Sequence, residues 1–310
     1  MSQRERVVAV VVTWNRRELL AESLRAIQRQ TDPPERTIVV DNASDDGTAE
    51  LLRRDFASLD VVSTTTNLGG AGGFAVGLDR ALRTGCDAVW LMDDDTVPEP
   101  TALAALLTAR RDYSPTVPAL VASRVVWTDG REHPMNTPRP KPGASAVERE
   151  AAAEVGCVPI RSASFVSVLV DAGRARERGL PIADYFLWND DFEFTTRLLR
   201  GERGLYCPAS LVVHKTASFG STNADPGARF YYEVRNKMWL FLRSRGLSPA
   251  EKVLYGGSTL RRWASTLRAS SDRLTLLRAL GAGLRSGVLS RPRPTADVLG
   301  DATGPERADG

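Results

Sequence analysis

Histidine is almost missing from this chain: 310 residues hold two, His133 and His214. Cysteine is nearly as scarce. Cys86, Cys157 and Cys207 are odd in number and far apart in sequence, without the paired spacing of a zinc site or a disulfide framework. They read as reduced, structural residues, which favours the cytosol. Long apolar runs are lacking too. Val7–Val12 is too short to span a bilayer or to serve as a signal peptide, and no cleavage-type tail follows it. A net charge of +3 is too small to argue for nucleic acid by itself. The first strand-to-helix turn, Thr13–Arg16, has no glycine, so the dinucleotide fingerprint is absent, and so is the phosphate loop with its lysine. No internal repeat is visible.

What is present is a soluble composition, 42% hydrophobic and 25% charged, in a chain long enough for one large α/β domain with an appendage. Val7–Val12 is a β-branched run of the kind that forms buried parallel strands. Asn15 offers a cap for a helix with Leu19, Leu20, Leu24 and Ile27 on one face. Thr37–Val40, a stretch near Val61–Thr65 and Ala88–Met92 are further strands, separated by helical segments. This alternation predicts right-handed crossovers and a doubly wound parallel sheet. Residues 127–154, with four prolines between Pro134 and Pro142, read as a surface excursion or lid. Ser162–Val170 has strand character and Ala172–Arg178 that of a short helix.

The apolar strand Val89–Met92 ends in Asp93-Asp94-Asp95, followed by a helix-start pattern over Thr96–Pro100. Adjacent carboxylates repel, so a fold keeps three only with a compensating cation or in full solvent. An exposed acidic turn is the plain alternative. The carboxyl end of a buried strand, where open α/β sheets bind ligands, tips the reading to a hard divalent cation. Thr13, Asp41, Asn67 and Asp93 all fall at or just past strand ends on that edge. Asp41 alone could be a helix cap; four such residues outline a crevice that could take a nucleotide. The glycines of Gly69–Gly73 either let backbone approach a ligand or make a tight turn.

A second acidic group, Asp190, Asp191 and Glu193, opens a helix behind Trp188. Acids in a first turn complement the helix dipole, but a tryptophan beside them suggests a pocket wall, where a buried carboxylate could act as general base. His214 closes the short strand Leu211–Val213 and is either structural or a third metal ligand. Beyond Pro226 the pattern is helical. Leu260, Trp263, Leu267, Leu274, Leu277 and Leu284 share a helical spacing opposite Arg261, Arg262, Arg268, Arg273, Arg278 and Arg285. Such helices pack on the domain or lie on an anionic membrane surface; the scarcity of acids favours the membrane, and nucleic acid is not expected as a partner.

Five motifs in order carry a family resemblance: Val10–Arg16 (VVVTWNR), Ile38–Thr48 (IVVDNASDDGT), Asn67–Gly77 (NLGGAGGFAVG), Trp90–Asp95 (WLMDDD) and Phe186–Glu193 (FLWNDDFE). The chain resembles family 2 glycosyltransferases of the GT-A fold over about residues 6–240. NLGGAGGF and Pro226–Lys237 (PGARFYYEVRNK) are most similar to actinobacterial galactofuranosyltransferases and rhamnosyltransferases of cell-wall galactan initiation. The resemblance implies a Rossmann-like, mostly parallel sheet flanked by helices, with a C-terminal helical extension. It implies that Thr13, Asn15, Asp41 and Asn67 hold the nucleotide, with Asp94 near the ribose. Asp93, Asp95 and His214 would bind Mn2+ or Mg2+ across the donor diphosphate. Asp191 matches the family's base, while Asp190 and Trp188 would line the acceptor and sugar pocket; Asn189, inserted before the acid pair, leaves Asp190 as the other candidate base.

The expected organisation is a glycosyltransferase domain over 1–235, a basic amphipathic helical region over 236–291 and a disordered tail over 292–310. The expected activity is metal-dependent, inverting transfer from UDP-galactofuranose or dTDP-L-rhamnose to a glycan or polyprenyl-diphosphate-linked acceptor. The expected location is the inner face of the cell membrane, bound peripherally. A nucleotidyltransferase acting on sugar phosphates would share the sheet and metal acids, but only Arg16-Arg17 could grip its phosphates. A non-catalytic sugar- or lipid-binding module would not need both acidic clusters.

Overall fold

The computed structural model describes residues 4–219 and 225–302. The first half alternates as its periodicity predicts: β1 (Val7–Thr13), α1 (Arg17–Gln28), β2 (Arg36–Asp41), α2 (Thr48–Asp55), β3 (Asp60–Ser63), α3 (Gly69–Arg83) and β4 (Ala88–Asp93). β1 is buried along its whole length. Its odd-numbered residues Val7, Ala9 and Val11 pack with Trp90 and Met92 on one face, and Val8 and Val10 pack with Val89 and Leu91 on the other. Strands buried on both faces read as continuous apolar runs, which is why β1 and β4 were legible.

β3, β2, β1 and β4 are neighbours in that order and mutually parallel. The parallel series ends there. After β5 (Thr96–Pro98), α4 (Ala102–Asp112), β6 (Leu120–Val126), β7 (Arg139–Pro140), α5 (Ala146–Glu154) and β8 (Val158–Ser162) comes β9 (Ser167–Asp171). β9 lies antiparallel between β4 and β6. The sheet is therefore mixed, with a four-stranded parallel series at the amino end and one further parallel pair, β6 and β10, rather than doubly wound throughout. Ser162–Val170 is not one strand: it joins β8 and β9, which lie far apart in the sheet order. Thr96–Pro100 does not start a helix either, because Thr96–Pro98 pairs antiparallel with β10 (Gly204–His214), which also runs parallel to β6.

α6 (Ala172–Arg178) follows β9, and α7 (Asp190–Leu198) precedes β10. The glycines of α3 serve close packing. A Cβ on Gly73 or Gly77 would come within 2.4 or 2.3 Å of the Val12 or Val10 side chain, so the helix rests directly on β1.

The C-terminal region holds α8 (Phe230–Leu242), α9 (Pro249–Ala269), α10 (Arg273–Leu289) and α11 (Thr295–Ala302). Ser248 and Glu251 form a capping box at the start of α9, with Pro249 at its first turn. Asp272 caps α10, so the shared helical spacing from Leu260 to Leu284 is divided between two helices. It does not form one stripe: Trp263 is 6% exposed and packs on Phe230 and Val234, whereas Leu260 is 65% exposed. The expected boundary at 235/236 falls inside α8. Within the expected tail, α11 spans Thr295–Ala302 and buries Val298 against Ala75 and Ala183. Residues 303–310 lie outside the described residues.

Candidate active site

β4 delivers Asp93 at its last position, and the chain then turns through Asp94 and Asp95 into β5. The pairing of Thr96 with His214 places the end of β10 beside this turn. His214 Nε2 lies 3.0 Å from Asp95 Oδ1. His214 Nδ1 is 2.8 Å from Asn136 Oδ1, an arrangement that leaves Nε2 facing the acids as a ligand atom. Asp95 Oδ1 is buried without a properly directed hydrogen bond. One ligand atom from each of Asp93, Asp95 and His214 falls within 4.8 Å of the others. Two carboxylates and an imidazole, with a buried oxygen left over, fit a divalent cation such as Mn2+ or Mg2+.

Electrostatics support that reading. Burial first, then Asp95, pushes Asp93 up to about 7. Burial also raises Asp94 to about 6, against the opposing pull of Arg16. Burial would raise Asp95 as well, but His214 and Arg16 outweigh it and hold the carboxyl below its usual range. Arg16 went unassigned to this cluster in the sequence. Its Nη1 reaches Asp94 Oδ1 at 3.3 Å and also pairs with Asp95 Oδ2. The excursion read as a surface lid supplies Asn136, and also His133, whose ring is 5.0 Å from that of His214.

The residues expected at the nucleotide lie along the carboxyl edge of β1, β2 and β3. Thr13 Oγ1 donates to Asp94 Oδ2 at 2.8 Å, and the Trp14 N–H donates to the same oxygen at 3.3 Å. Asn15 does not cap α1, whose N-cap is Arg16. Instead its Oδ1 accepts from the Asp45 N–H at 2.8 Å, joining the turns after β1 and β2. Asp41 is buried and accepts from the Ser44 N–H. Asn67 Oδ1 accepts from the Gly69 N–H at 2.7 Å and from Asn42 Nδ2 at 3.0 Å. Asn42 is the hub of this edge, since its Oδ1 also accepts from the Leu68 N–H. No spacing rule singles it out; its position directly after β2 was the available signal.

The second acidic group sits at the start of α7. The loop before it turns sharply, with Phe186, Trp188 and Asn189 all at positive φ, near +63°, +64° and +65°. Trp188 is half-buried beneath the Arg229 guanidinium, 5.7 Å from the ring centroid. Asp191 Oδ1 accepts from its neighbour's N–H, Phe192 N, at 2.6 Å. Burial raises Asp191, while Lys237 and Arg139 oppose that rise. Burial likewise raises Asp190 well above the carboxylate range, with Asp191 and Asp93 adding to it. Asp93 is thus among the charges that act on Asp190, so the two acidic groups lie within reach of each other's field. Glu193 is elsewhere engaged, with Arg197 and Ser244. Lys237, buried on α8, was not assigned a role from the sequence.

A mixed sheet with an acid–histidine cluster at its carboxyl edge is the frame of a glycosyltransferase of the GT-A fold, and structures of that kind superpose on this chain. The Glycosyl transferase family 2 description matches residues 8–162, and the chain belongs to that family. The galactofuranosyltransferase GlfT1 of Mycobacterium tuberculosis is 33% identical over 261 residues, covering 73% of this chain and 79% of the relative. GlfT1 of Mycolicibacterium smegmatis is 45% identical over 115 residues, a match spanning 37% of this chain and only 38% of that relative's length. Among solved structures, S. aureus TarS 1-349 in complex with UDP-GlcNAc superposes with a TM-score of 0.63 at 16% identity, covering 91% of this chain and 81% of that one. The mannosyltransferase PcManGT from Pyrobaculum calidifontis, in complex with GDP-Man and Mn2+, gives a TM-score of 0.56 at 21% identity, covering 97% and 80%.

Proposed function

We propose that this glycosyltransferase moves a sugar, with inversion, from a nucleotide-sugar donor to the hydroxyl of a glycan or polyprenyl-diphosphate-linked acceptor. The observation that carries the reading is the Asp93, Asp95 and His214 cluster at the carboxyl edge of the sheet, with Asp190 and Asp191 opening α7 as a second acidic group. Asp93, Asp95 and His214 would hold Mn2+ or Mg2+, whose charge stabilises a leaving diphosphate. Thr13, Asn15, Asp41, Asn67 and Asp94 border the nucleotide. Asp191, whose pKa burial raises against the pull of Lys237 and Arg139, takes the proton of the acceptor hydroxyl as its oxygen attacks the anomeric carbon. Asp190 and Trp188 line the sugar and acceptor side. One displacement from the face opposite the leaving group inverts the centre without a covalent intermediate, unlike a retaining hydrolase.

The names of the two relatives favour galactofuranose, and hence UDP-galactofuranose, over dTDP-L-rhamnose. The nucleotidyltransferase alternative needs Arg16-Arg17 free to grip phosphate. Arg16 is engaged with Asp94 and Asp95, and Arg17 donates to the Asp46 carbonyl. Among the described residues no helix is long and apolar enough to cross a membrane. Exposed Leu254, Leu260, Leu274, Leu277 and Leu289 lie among the arginines of α9 and α10, which fits peripheral attachment to an anionic inner membrane face.

The test is UDP-galactofuranose and dTDP-L-rhamnose with Mn2+, each offered to a panel of alkyl glycosides and a polyprenyl-diphosphate glycan. Transfer by the wild type, lost in Asp191→Ala with UDP binding kept within about twofold, is the expected result. Normal turnover by Asp191→Ala removes the base assignment. Failure to transfer or hydrolyse any nucleotide sugar removes the reading itself.

A further inference from the structure

The carbonyls of the loop that carries the acid pair are held from outside it. Asn236, fully buried on α8, directs its side-chain amide at three carbonyls: Tyr185 at 2.9 Å, Leu187 at 2.8 Å and Trp188 at 2.9 Å. The adjacent Arg235 donates from Nη2 to the carbonyls of Asp184 at 2.8 Å and Tyr185 at 3.0 Å. Its Nε also donates to Asn236 Oδ1 at 3.0 Å, so the two side chains orient each other. The remaining carbonyl, that of Phe186, accepts from the Ala71 N–H of α3 at 3.3 Å. Every carbonyl from Asp184 to Trp188 thus has a donor on a neighbouring helix.

This clamp lies where the backbone is most strained. Phe186, Trp188 and Asn189 sit in the left-handed region, at about 1–3 kcal/mol each, which persists only where the surroundings over-determine the conformation. A free loop would relax, and the amino end of α7 would rotate with it. Further bonds tie the end of the loop to the C-terminal helices. Asn189 Nδ2 donates to Glu233 Oε2 at 2.7 Å, and Glu233 is itself paired with Arg262 of α9. Arg235 is kept in place by the Trp239 ring, 4.2 Å from its guanidinium carbon.

We infer that Arg235 and Asn236 are positioning residues for the reaction: they hold the 184–189 loop so that the acid pair at the start of α7 faces the metal-side cluster. The inference rests on the proposed role of Asp191. It also gives the C-terminal helices a part in the chemistry beyond surface attachment, since the expected domain boundary would fall between the two clamping residues.

Asn236→Leu keeps most of the side-chain volume and removes the amide. The measurements are kcat for transfer from UDP-galactofuranose, donor KM, UDP binding with Mn2+ by calorimetry, and the pH profile of kcat. A ten- to hundredfold fall in kcat is expected, the scale of roughly 1 Å of misplacement. Donor KM and UDP affinity should stay within twofold, because the donor-side residues sit on other elements. In an Asp191→Ala background, Asn236→Leu should cause no further loss, since the residue it positions is already gone. Asn236→Gln, which retains the donors, should recover part of kcat.

An unchanged kcat, a loss of UDP binding in step with kcat, or a further full loss on top of Asp191→Ala would each overturn the positioning role. If Asn236→Leu does not fold, Arg235→Lys, which keeps charge but loses the fork, is judged by the same outcomes. Normal turnover by Asp191→Ala alone would instead overturn the base assignment on which the inference rests.

Discussion

His214 Nε2 and Asp95 Oδ1 stand 3.0 Å apart, while the opposite nitrogen of the same ring is 2.8 Å from Asn136 Oδ1. The amide oxygen fixes the tautomer that a metal-binding imidazole needs, with its proton on Nδ1 and its lone pair toward the acids.

Removing that support should weaken the metal site without touching a ligand. Asn136→Ala is expected to lower Mn2+ affinity about tenfold or more, the usual effect of losing an outer hydrogen bond to a ligating histidine. Calorimetric titration with Mn2+ reads it directly. Unchanged affinity would mean that the imidazole is held by β10 alone.

Arg16 neutralises Asp94 and Asp95 at the position where a cation would compete. Arg16→Ala should therefore bind Mn2+ several-fold more tightly than wild type in the absence of nucleotide. Without metal the variant should lose about 1–2 kcal/mol of stability, a value reduced for the half-exposed guanidinium, because Asp94 and Asp95 lose their guanidinium partner. Added Mn2+ should restore the loss in thermal melts. Equal metal affinity in both proteins would show that Arg16 and the cation do not compete.

Gly69 has φ +69°, and a Cβ there would lie 1.9 Å from the Phe186 carbonyl oxygen. Gly69→Ala is expected to cost more than about 3 kcal/mol, combining a forbidden backbone with a clash against the acid-pair loop. Gly70→Ala meets nothing within 4 Å and should be neutral or stabilise by up to about 1 kcal/mol in the helix. Urea midpoints for the pair provide the comparison, and similar values would remove the argument for close approach.

Burial pulls Lys237 down to about 8, against the attraction of Glu233 and Asp191. Its folded pKa lies below the unfolded value, so between about pH 8 and 10.5 the unfolded chain binds more protons and stability rises with pH. The penalty for burying the charge is present in full below about pH 8. Relative to Lys237→Met, wild type should gain about 2 kcal/mol between roughly pH 7 and 9.5. A constant difference between the two proteins across that range would mean that the ammonium is better solvated than its burial implies.

The amino-terminal half was legible because its signals are local. β1 and β4 are apolar on both faces, so their runs show in one dimension, and Asp93–Asp95, Asp41 and Asn67 follow strand ends that the same runs locate. Four of the five family motifs lie in these segments as well, and so the donor-side residues could be named. Three features could not be read this way. β9 runs antiparallel between β4 and β6, a choice made by sheet pairing rather than by its own composition. Arg16 could be a helix-start residue anywhere, and only the turn after β4 turns it into a counter-ion. Asn236 is one polar residue on an aromatic-rich helix, and its meaning depends on a loop that reaches it through the fold.

By itself, then, the order of residues determined the strand–helix alternation, the acids at the strand ends and the family, because burial periodicity and short motifs are properties of contiguous chain. The tertiary structure decided how His214 meets Asp95, through the β5–β10 pairing, and that α8 grips the loop before Asp190. Those relationships are between groups brought together by long-range packing, where distance, direction and desolvation set the chemistry and sequence separation carries no information about any of them.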